Sequence, residues 1–330
     1  MTLDATALRA HRPLLLTHCY RMLGSSVDAE DAVQETLLRA VRAAEGFEGR
    51  SSLRRWLTSI ATNVCIDALR VRARRERPVD RPPGTPADPI TFGDPDGWVE
   101  PMPGAWLPRS DDPAERVSQR QSVQLAFVTA LQHLPPTQRA ALLLTQVLGW
   151  TAKEVAEGLD TSVPAVNSAL QRARATLKTR EPSPEPVAPD HAAAQRYVEA
   201  FVRYDLDALV QLLTDDVRFD MPPIPLWVQG PDHVRSFLAG PGAECEGSVA
   251  VPLEVNGAPG FAQYRHGGAT PWGIVRLVPR GDRIAEITTF LDVERLFPIF
   301  GLPPTWTSDT ASQGAPFFSA TDESRGAASS

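Results

Sequence analysis

Thr151 to Lys178, TAKEVAEGLDTSVPAVNSALQRARATLK, constrains the fold more than any other stretch of this chain. It reads as two short helices joined by a tight turn. Val155, Ala156 and Leu159 give the first an apolar side. Val166, Leu170, Ala173 and Leu177 recur at steps of four, three and four, which is one face of the second helix. Ser162 stands where an N-cap belongs, and Pro164 falls in the first turn, where a missing N–H costs little. The opposite face carries Ser162, Pro164, Ala165, Asn167, Ser168, Gln171, Arg172, Arg174 and Lys178. After Asp160 no acidic residue appears until Glu181. A helix with an amide-rich first half and a cationic second half suits a DNA major groove. Amides and hydroxyls read base edges there, and arginines hold phosphates.

The chain of 330 residues has room for two or three domains. Its net charge of −7 argues against general coating of polyanions. The charge is uneven: Arg70, Arg72, Arg74, Arg75 and Arg77 form one basic run, and Arg172 to Arg180 another. Local basic patches in an acidic chain imply targeted nucleic-acid contact together with a protein partner. Cys19, Cys65 and Cys245 are scattered, with neither metal-ligand spacing nor a disulfide framework, so a reducing cytoplasm and no metal are expected. No signal peptide and no apolar run of membrane length is visible.

Residues 3–75 read as helices. One is expected over Ala7–Leu23. A second is capped by Asp28, with Val33, Leu37, Leu38 and Val41 inside. A third runs from Ser51 or Ser52 to Arg75, with Trp56, Leu57, Ile60 and Val64 inside. Pro78–Pro113 holds ten prolines, so regular structure is not expected there. Trp106-Leu107-Pro108 is bulky for a solvated linker and is read as a docking peptide. After Asp190 come a pair of amphipathic helices, a strand near Asp216–Met221 and a short helix at Val234–Leu238. Strands follow at Val249–Val255, Phe261–Tyr264, Trp272–Val278 and Arg283–Phe290, an α+β order. The boundaries expected are 1–77, a linker 78–113, 114–180, a linker 181–190, 191–306 and a disordered tail 307–330.

Two ordered motifs carry a resemblance. DAEDAVQETLLRA from Asp28, followed by WLTSIATNVCIDALR from Trp56, resembles region 2 of the extracytoplasmic-function group of the sigma-70 family. The helix-turn-helix resembles region 4. The fold implied is two all-α domains followed by a third. The function implied is that of an RNA polymerase sigma factor, with core polymerase and promoter DNA as partners. By the resemblance Asp31, Gln34 and Glu35 meet the clamp helices of the largest subunit, and region 4 meets the flap region. Phe47, Ser51, Arg54, Arg55, Asn63, Asp67, Arg70 and Arg74 hold the −10 element, although Phe47 is equally compatible with plain core packing. The second helix of the helix-turn-helix reads the −35 element. Similar proteins carry cations where this chain has Asn167 and Ala169, which puts the usual −35 sequence in doubt.

Residues 192–305 resemble a SnoaL-like domain, a curved sheet wrapped by helices into a cone. The resemblance rests on the element order, on LLTDDVRFD at 212–220 and on ITTFLD at 287–292. Asp220, Tyr264 and His266 are the pocket candidates it suggests. In some sigma factors of this group such a domain is fused as a built-in regulator in place of a separate anti-sigma partner. It is expected here to grip Trp106-Leu107-Pro108 and to take an unidentified small ligand, with no cofactor. Two other readings stay open. One is a DNA-binding regulator independent of core polymerase. The other is a SnoaL-like isomerase or cyclase tethered to DNA.

Overall fold

The protein is seen as a computed structural model that describes residues 5–44, 47, 52–71, 74–108, 110–178 and 191–307. The chain forms two compact units. Met1–Arg77 and Asp96–Val187 make the first, and Pro78–Pro95 and Ala188–Ser330 the second.

The first unit is helical. It begins with α1 (Ala5–Ala10), α2 (Arg12–Leu23), α3 (Ser26–Arg42) and α4 (Leu53–Leu69). The single helix expected over Ala7–Leu23 breaks at His11, because Pro13 belongs in a first turn. Gly24, at φ +69°, closes α2 and returns its N–H to Tyr20 O at 2.7 Å. Ser25 rather than Asp28 caps α3; its Oγ accepts from the Asp28 N–H at 3.0 Å. Asp28 instead receives Arg75 Nη2 at 2.6 Å. Ala29, Ala32, Val33, Thr36 and Ala40 form the buried face of α3, whereas Leu38 and Val41, expected inside, are exposed. Small side chains on the inner face let α3 lie close to α2 and α4. Ser52 caps α4 by accepting from the Arg55 N–H at 3.3 Å, and Ser51 lies outside the described residues. The helix stops at Leu69, not Arg75.

Arg75 and Arg77 are buried, which corrects their expected place in a phosphate-gripping run. Arg75 Nη1 donates to the carbonyls of Asp96 and Trp98 at 2.9 and 3.1 Å. Glu100, also buried, accepts from Ser25 Oγ at 2.7 Å and from the Val27 N–H at 3.2 Å. The proline-rich stretch is therefore stitched in place rather than solvated. Trp106 is buried as well, and its carbonyl accepts from Thr17 Oγ1 on α2 at 2.8 Å. Leu107 and Pro108 are half-buried. The docking peptide is already docked, on the helical unit to which it belongs, and the expectation that the C-terminal domain grips it is corrected.

The unit continues with α5 (Pro113–Gln121), α6 (Leu125–Gln132), α7 (Pro136–Leu142), a π-helical turn at Leu143–Val147, α8 (Ala152–Gly158) and α9 (Val163–Lys178). Gly149, at φ +69°, ends the π turn. Thr151 and Glu154 form a capping box at the start of α8. Of these, α6 packs on α2 and α7 on both α2 and α4, while α9 packs on α7 and α8. Arg139 on α7 is buried, and its guanidinium donates to Met22 O, to Gln132 Oε1 at 2.7 Å, and to Gln132 O and Leu134 O at 3.1 Å each. Arg21 on α2 reaches Ser122 Oγ at 2.6 Å. Burial lowers the pKa of Arg21 to about 9 and that of Arg139 to about 10, so both remain charged at neutral pH.

In the second unit α10 (His191–Val202), α11 (Leu206–Gln211) and α12 (Pro231–Ala239) wrap a six-stranded sheet. The strands are β1 (Leu213–Met221), β2 (Ile224–Gln229), β3 (Val249–Val255), β4 (Ala258–Arg265), β5 (Thr270–Arg280) and β6 (Arg283–Phe290), in the order β2-β1-β6-β5-β4-β3. Only β1 and β6 pair in parallel. The core is apolar, with Phe201, Leu209, Val217, Phe261, Leu277 and Ile287 at its centre. Gly260 is required where β4 meets β5, since a Cβ there would fall 2.2 Å from Val275 O. A last helix, α13 (Val293–Ile299), packs on β5. The Pro222-Pro223 step and Pro225 hide β2 from a sequence reading. Proline is tolerated there because β2 is an edge strand. That edge is covered by Pro78–Pro95: the Gly84 N–H donates to Trp227 O at 2.9 Å, and Trp227 Nε1 donates to Arg81 O at 2.7 Å.

His18 on α2 gives the helical unit a pH dependence. It is fully buried, and Nε2 lies 2.8 Å from Thr62 Oγ1. The Thr62 hydroxyl already donates to Thr58 O at 2.7 Å, so Nε2 carries the proton and Nδ1 is bare. Burial first, then Arg21, lowers the His18 pKa to about 3. The unfolded chain takes up this proton below pH 6.5 while the folded one does not. Stability is therefore intact above pH 6.5 and falls as pH drops toward 3, by about 1.4 kcal/mol per pH unit from this group. Urea midpoints measured from pH 7 to pH 5 should fall for the native chain. The fall should be visibly shallower for His18→Gln.

Candidate functional site

The surface of α9 follows from its packing. Val166, Ala169, Leu170 and Ala173 are buried against the rest of the helical unit. That turns Ser162, Pro164, Ala165, Asn167, Gln171, Arg172, Arg174 and Lys178 outward, all exposed, with Ser168 half-buried. Ser162 Oγ accepts from the Ala165 N–H at 3.3 Å, which fixes the first turn. Arg172, Arg174 and Lys178 form no ion pair among the described residues. Ala169 is a core position, so no cation is missing from the reading face there. The departure from similar proteins narrows to Asn167.

The α4 face is arranged differently. Asn63, Asp67 and Arg70 are exposed on one side, while Leu57, Ala61, Val64 and Cys65 are buried on the other. Asp67 holds Arg70 Nη1 at 2.9 Å and lies 3.7 Å from Arg39. Arg74 is exposed beyond the helix, paired with Glu76 at 2.5 Å and in contact with His133 Nδ1 at 3.0 Å. Arg54 and Arg55 are exposed in the first turn. Phe47 is half-buried, with its ring 4.8 Å from that of Trp56 and tilted by 36°. The pair makes a flat apolar ledge beside the start of α4. On α3, Asp31 and Gln34 are exposed and Glu35 is half-buried, its carboxylate holding Arg39 at 2.7 Å. Leu38 and Val41 continue the Asp31 and Gln34 stripe into solvent, being 53% and 59% exposed. A helix face that mixes acids with bare aliphatic groups is suited to a protein partner. Periodicity did not find the aliphatic half of it.

One −10 candidate, Arg55, meets the first helix of the helix-turn-helix within the helical unit. Arg55 Nη1 lies 2.5 Å from Glu154 Oε1 on α8. The Thr151 N–H first, and Arg55 after it, hold the Glu154 carboxyl below the usual range. Gly158, ending α8, packs so near Ser59 on α4 that an added Cβ would sit 2.7 Å from its Oγ.

In the second unit the three pocket candidates are displaced from the cavity by strand parity. Successive side chains of a strand point to opposite faces. Phe219 and Met221 line the cavity, so Asp220 between them faces away, buried and accepting from Thr288 Oγ1 at 2.7 Å. Phe261, Gln263 and Arg265 line it, so Tyr264 faces away, donating to Pro303 O at 2.9 Å and packing edge-on against Phe297. His266 is exposed in the turn, with Nδ1 3.2 Å from Thr270 Oγ1. The polar groups on the wall are instead Gln263, Arg265, Thr289, Glu244 and Cys245. A sequence reading finds them once the register of β4 is known, and not before.

Comparison with known proteins agrees with this architecture. Sigma-70 region 2 matches residues 7–75, sigma-70 region 4 matches 124–177, and a SnoaL-like domain matches 194–291. The ECF RNA polymerase sigma factor SigG of Mycobacterium tuberculosis is 46% identical over 308 residues, 89% of this chain and 82% of that one. The ECF sigma factor SigJ of the same organism is 30% identical over 254 residues, 71% of this chain and 70% of that one. The crystal structure of SigJ superposes with a TM-score of 0.58 at 25% identity, covering 92% of this chain and all of that one. With helical regions 2 and 4 in order and a sheet domain after them, the chain belongs to the extracytoplasmic-function RNA polymerase sigma factors of the sigma-70 family.

Proposed function

We propose that α3 docks on core polymerase through Asp31, Gln34, Leu38 and Val41, that α4 with Phe47 holds the −10 element, that α9 reads the −35 element, and that the C-terminal cone regulates the whole by binding rather than by turnover. The observation that carries the promoter reading is the bare charge of α9. Three exposed cations, without ion-pair partners among the described residues, follow an amide-bearing half-helix. A merely solvated helix has no need of such segregation. The pairing of Asp67 on α4 with Arg70 just beyond it and with Arg39 on α3 is a reserve of donors and acceptors that a separated strand displaces. The polymerase this chain serves works in the cytoplasm, and among the described residues no helix is long and apolar enough to cross a membrane.

Binding rather than turnover is favoured by the cavity wall. Its one carboxylate, Glu244, is 79% exposed and paired with Arg265, a poor arrangement for a general base. Transcription in vitro by core polymerase, with the full chain against a chain ending at Arg180, tests the regulator. An unchanged promoter choice and unchanged yield would remove it.

The packing of α8 on α4 is a latch. The two promoter elements lie about 25 base pairs apart, roughly 85 Å at about 3.4 Å per pair. Helices joined by Arg55–Glu154, by Gly158 on Ser59 and by Arg139 on Met22 O do not span that distance, so all three contacts open when both elements are bound.

Two outcomes are expected. Arg172→Ala and Arg174→Ala should each weaken binding evenly across −35 variants and reduce the slope of log affinity against log salt by about 1. Asn167→Ala should cost about 1–3 kcal/mol, and only at the base it reads. Unaltered salt slopes in a −35 duplex titration would contradict the assignment. Glu154→Gln keeps the capping box, since glutamine serves there, but removes the charge facing Arg55. At limiting chain it should raise open-complex formation by about two- to threefold, a rise that 0.5 M salt should erase.

A further inference from the structure

The cone holds a cavity of about 210 Å³ with a mainly apolar wall that includes Phe219, Phe261 and Trp272. One cation interrupts that wall. Arg265 is 6% exposed, and its guanidinium carbon lies 3.2 Å from the centre of the Trp272 ring. Nη1 donates to Glu244 at 2.8 Å, and Nη2 approaches Cys245 Sγ at 3.4 Å. A guanidinium offers five N–H donors. Nε is buried without an acceptor, and thiol sulfur is a weak one. Glu244 stands mostly in water, where its attraction is screened. A cation this deep, with so few of its donors used, is costly to hold unless an anion completes it.

The cover of the cavity is the second observation. Ile90 and Phe92 line it, and they belong to Pro78–Pro95, the part of the linker that folds with the cone. The Gly93 N–H donates to Pro223 O at 2.9 Å and ties this strap to the start of β2. Ile90 and Phe92 are nevertheless 39% and 67% exposed, so apolar surface at the rim stands in water. An apolar body filling the cavity gives both side chains something to cover, and that burial is favourable.

We propose that the cone is a receptor for a small apolar carboxylate, its head group paired with Arg265 and its hydrocarbon body sealed under Ile90 and Phe92. The proposal deepens the regulator reading above by naming the class of signal and the segment that responds. It rests on that reading only for its effect on transcription. Pro78–Pro95 leaves the helical unit at Arg77 and re-enters it at Asp96, so a strap held down by ligand shortens the free chain that tethers the cone to that unit. The shift is as large as the ligand's preference for the sealed state.

The full chain should be titrated by calorimetry with octanoate and 4-phenylbutyrate, and with 1-octanol and 4-phenylbutanol as matched neutral probes. Saturable one-to-one binding is expected, with the carboxylates at least about tenfold tighter than their alcohols. Arg265→Gln should abolish the preference and leave the alcohol affinity within about twofold. Phe92→Ala should weaken acid and alcohol alike. The comparison of acid with alcohol on the unaltered chain decides the matter even if Arg265→Gln does not fold. Equal affinity for acid and alcohol, or no saturable binding of either acid, overturns the proposal. Carboxylate binding with unchanged transcription by core polymerase supports the receptor and sinks the regulator.

Discussion

Buried guanidinium groups placed on orphaned carbonyls hold the helical unit together. The last carbonyls of any helix lack intrahelical partners and carry partial negative charge. Arg139 answers Met22 O at the end of α2 and Gln132 O and Leu134 O at the end of α6 with one planar group. Arg75 does the same for the carbonyls of Asp96 and Trp98 and adds the Asp28 carboxylate. The first arginine joins region 4 to region 2, and the second fastens the linker to the first turn of α3. Each is deep enough that removing it strands several acceptors at once. Neither is replaceable by lysine, whose point charge lacks the fork.

This use of arginine explains why the basic runs misled a sequence reading. Five arginines between Arg70 and Arg77 look alike on paper. Burial divides them: Arg75 and Arg77 are interior, and Arg70 and Arg74 are at the surface, each beside a carboxylate. By contrast the helix-turn-helix was legible almost residue by residue, because its apolar stripe is regular and its caps are local. Leu38 and Val41 show the limit. Periodicity placed them inside, while the small residues Ala29, Ala32 and Ala40 took the inner face of α3. Amphipathicity cannot tell a core stripe from a stripe reserved for a partner.

The sheet domain shows a different limit. Five strands were found near their true places from alternation and turn residues, and β2 was hidden by its prolines. The pocket residues were missed by a single position on two strands. Asp220 and Tyr264 are chemically attractive and face the wrong way, while Phe219, Gln263 and Arg265 face the cavity. A one-residue change of register moves every side chain to the other face. No amount of attention to residue type corrects that; only the register does.

The linker unites these observations. Composition marks it as a polymer without regular structure, whereas it carries three single 3-10 turns, at Pro78–Asp80, Pro95–Gly97 and Gly104–Trp106, and is tied down along its length. Its second part is bound to the helical unit through Val99, Glu100 and Trp106. Its first part is bound to the edge of the sheet through Arg81, Gly84 and Gly93. The second part buries Trp98, Val99, Met102 and Trp106, whereas the first part is held largely by hydrogen bonds to an edge strand, so the first is the weaker attachment and the apt place for a reversible step. Of the two, the first part lies over a cavity that has an under-satisfied cation inside and exposed hydrocarbon at its rim. A regulator fused to the chain it controls needs only a small free-energy difference, because both partners are held at high effective concentration. A few hydrogen bonds and two apolar side chains on a strap are of the right size to supply it.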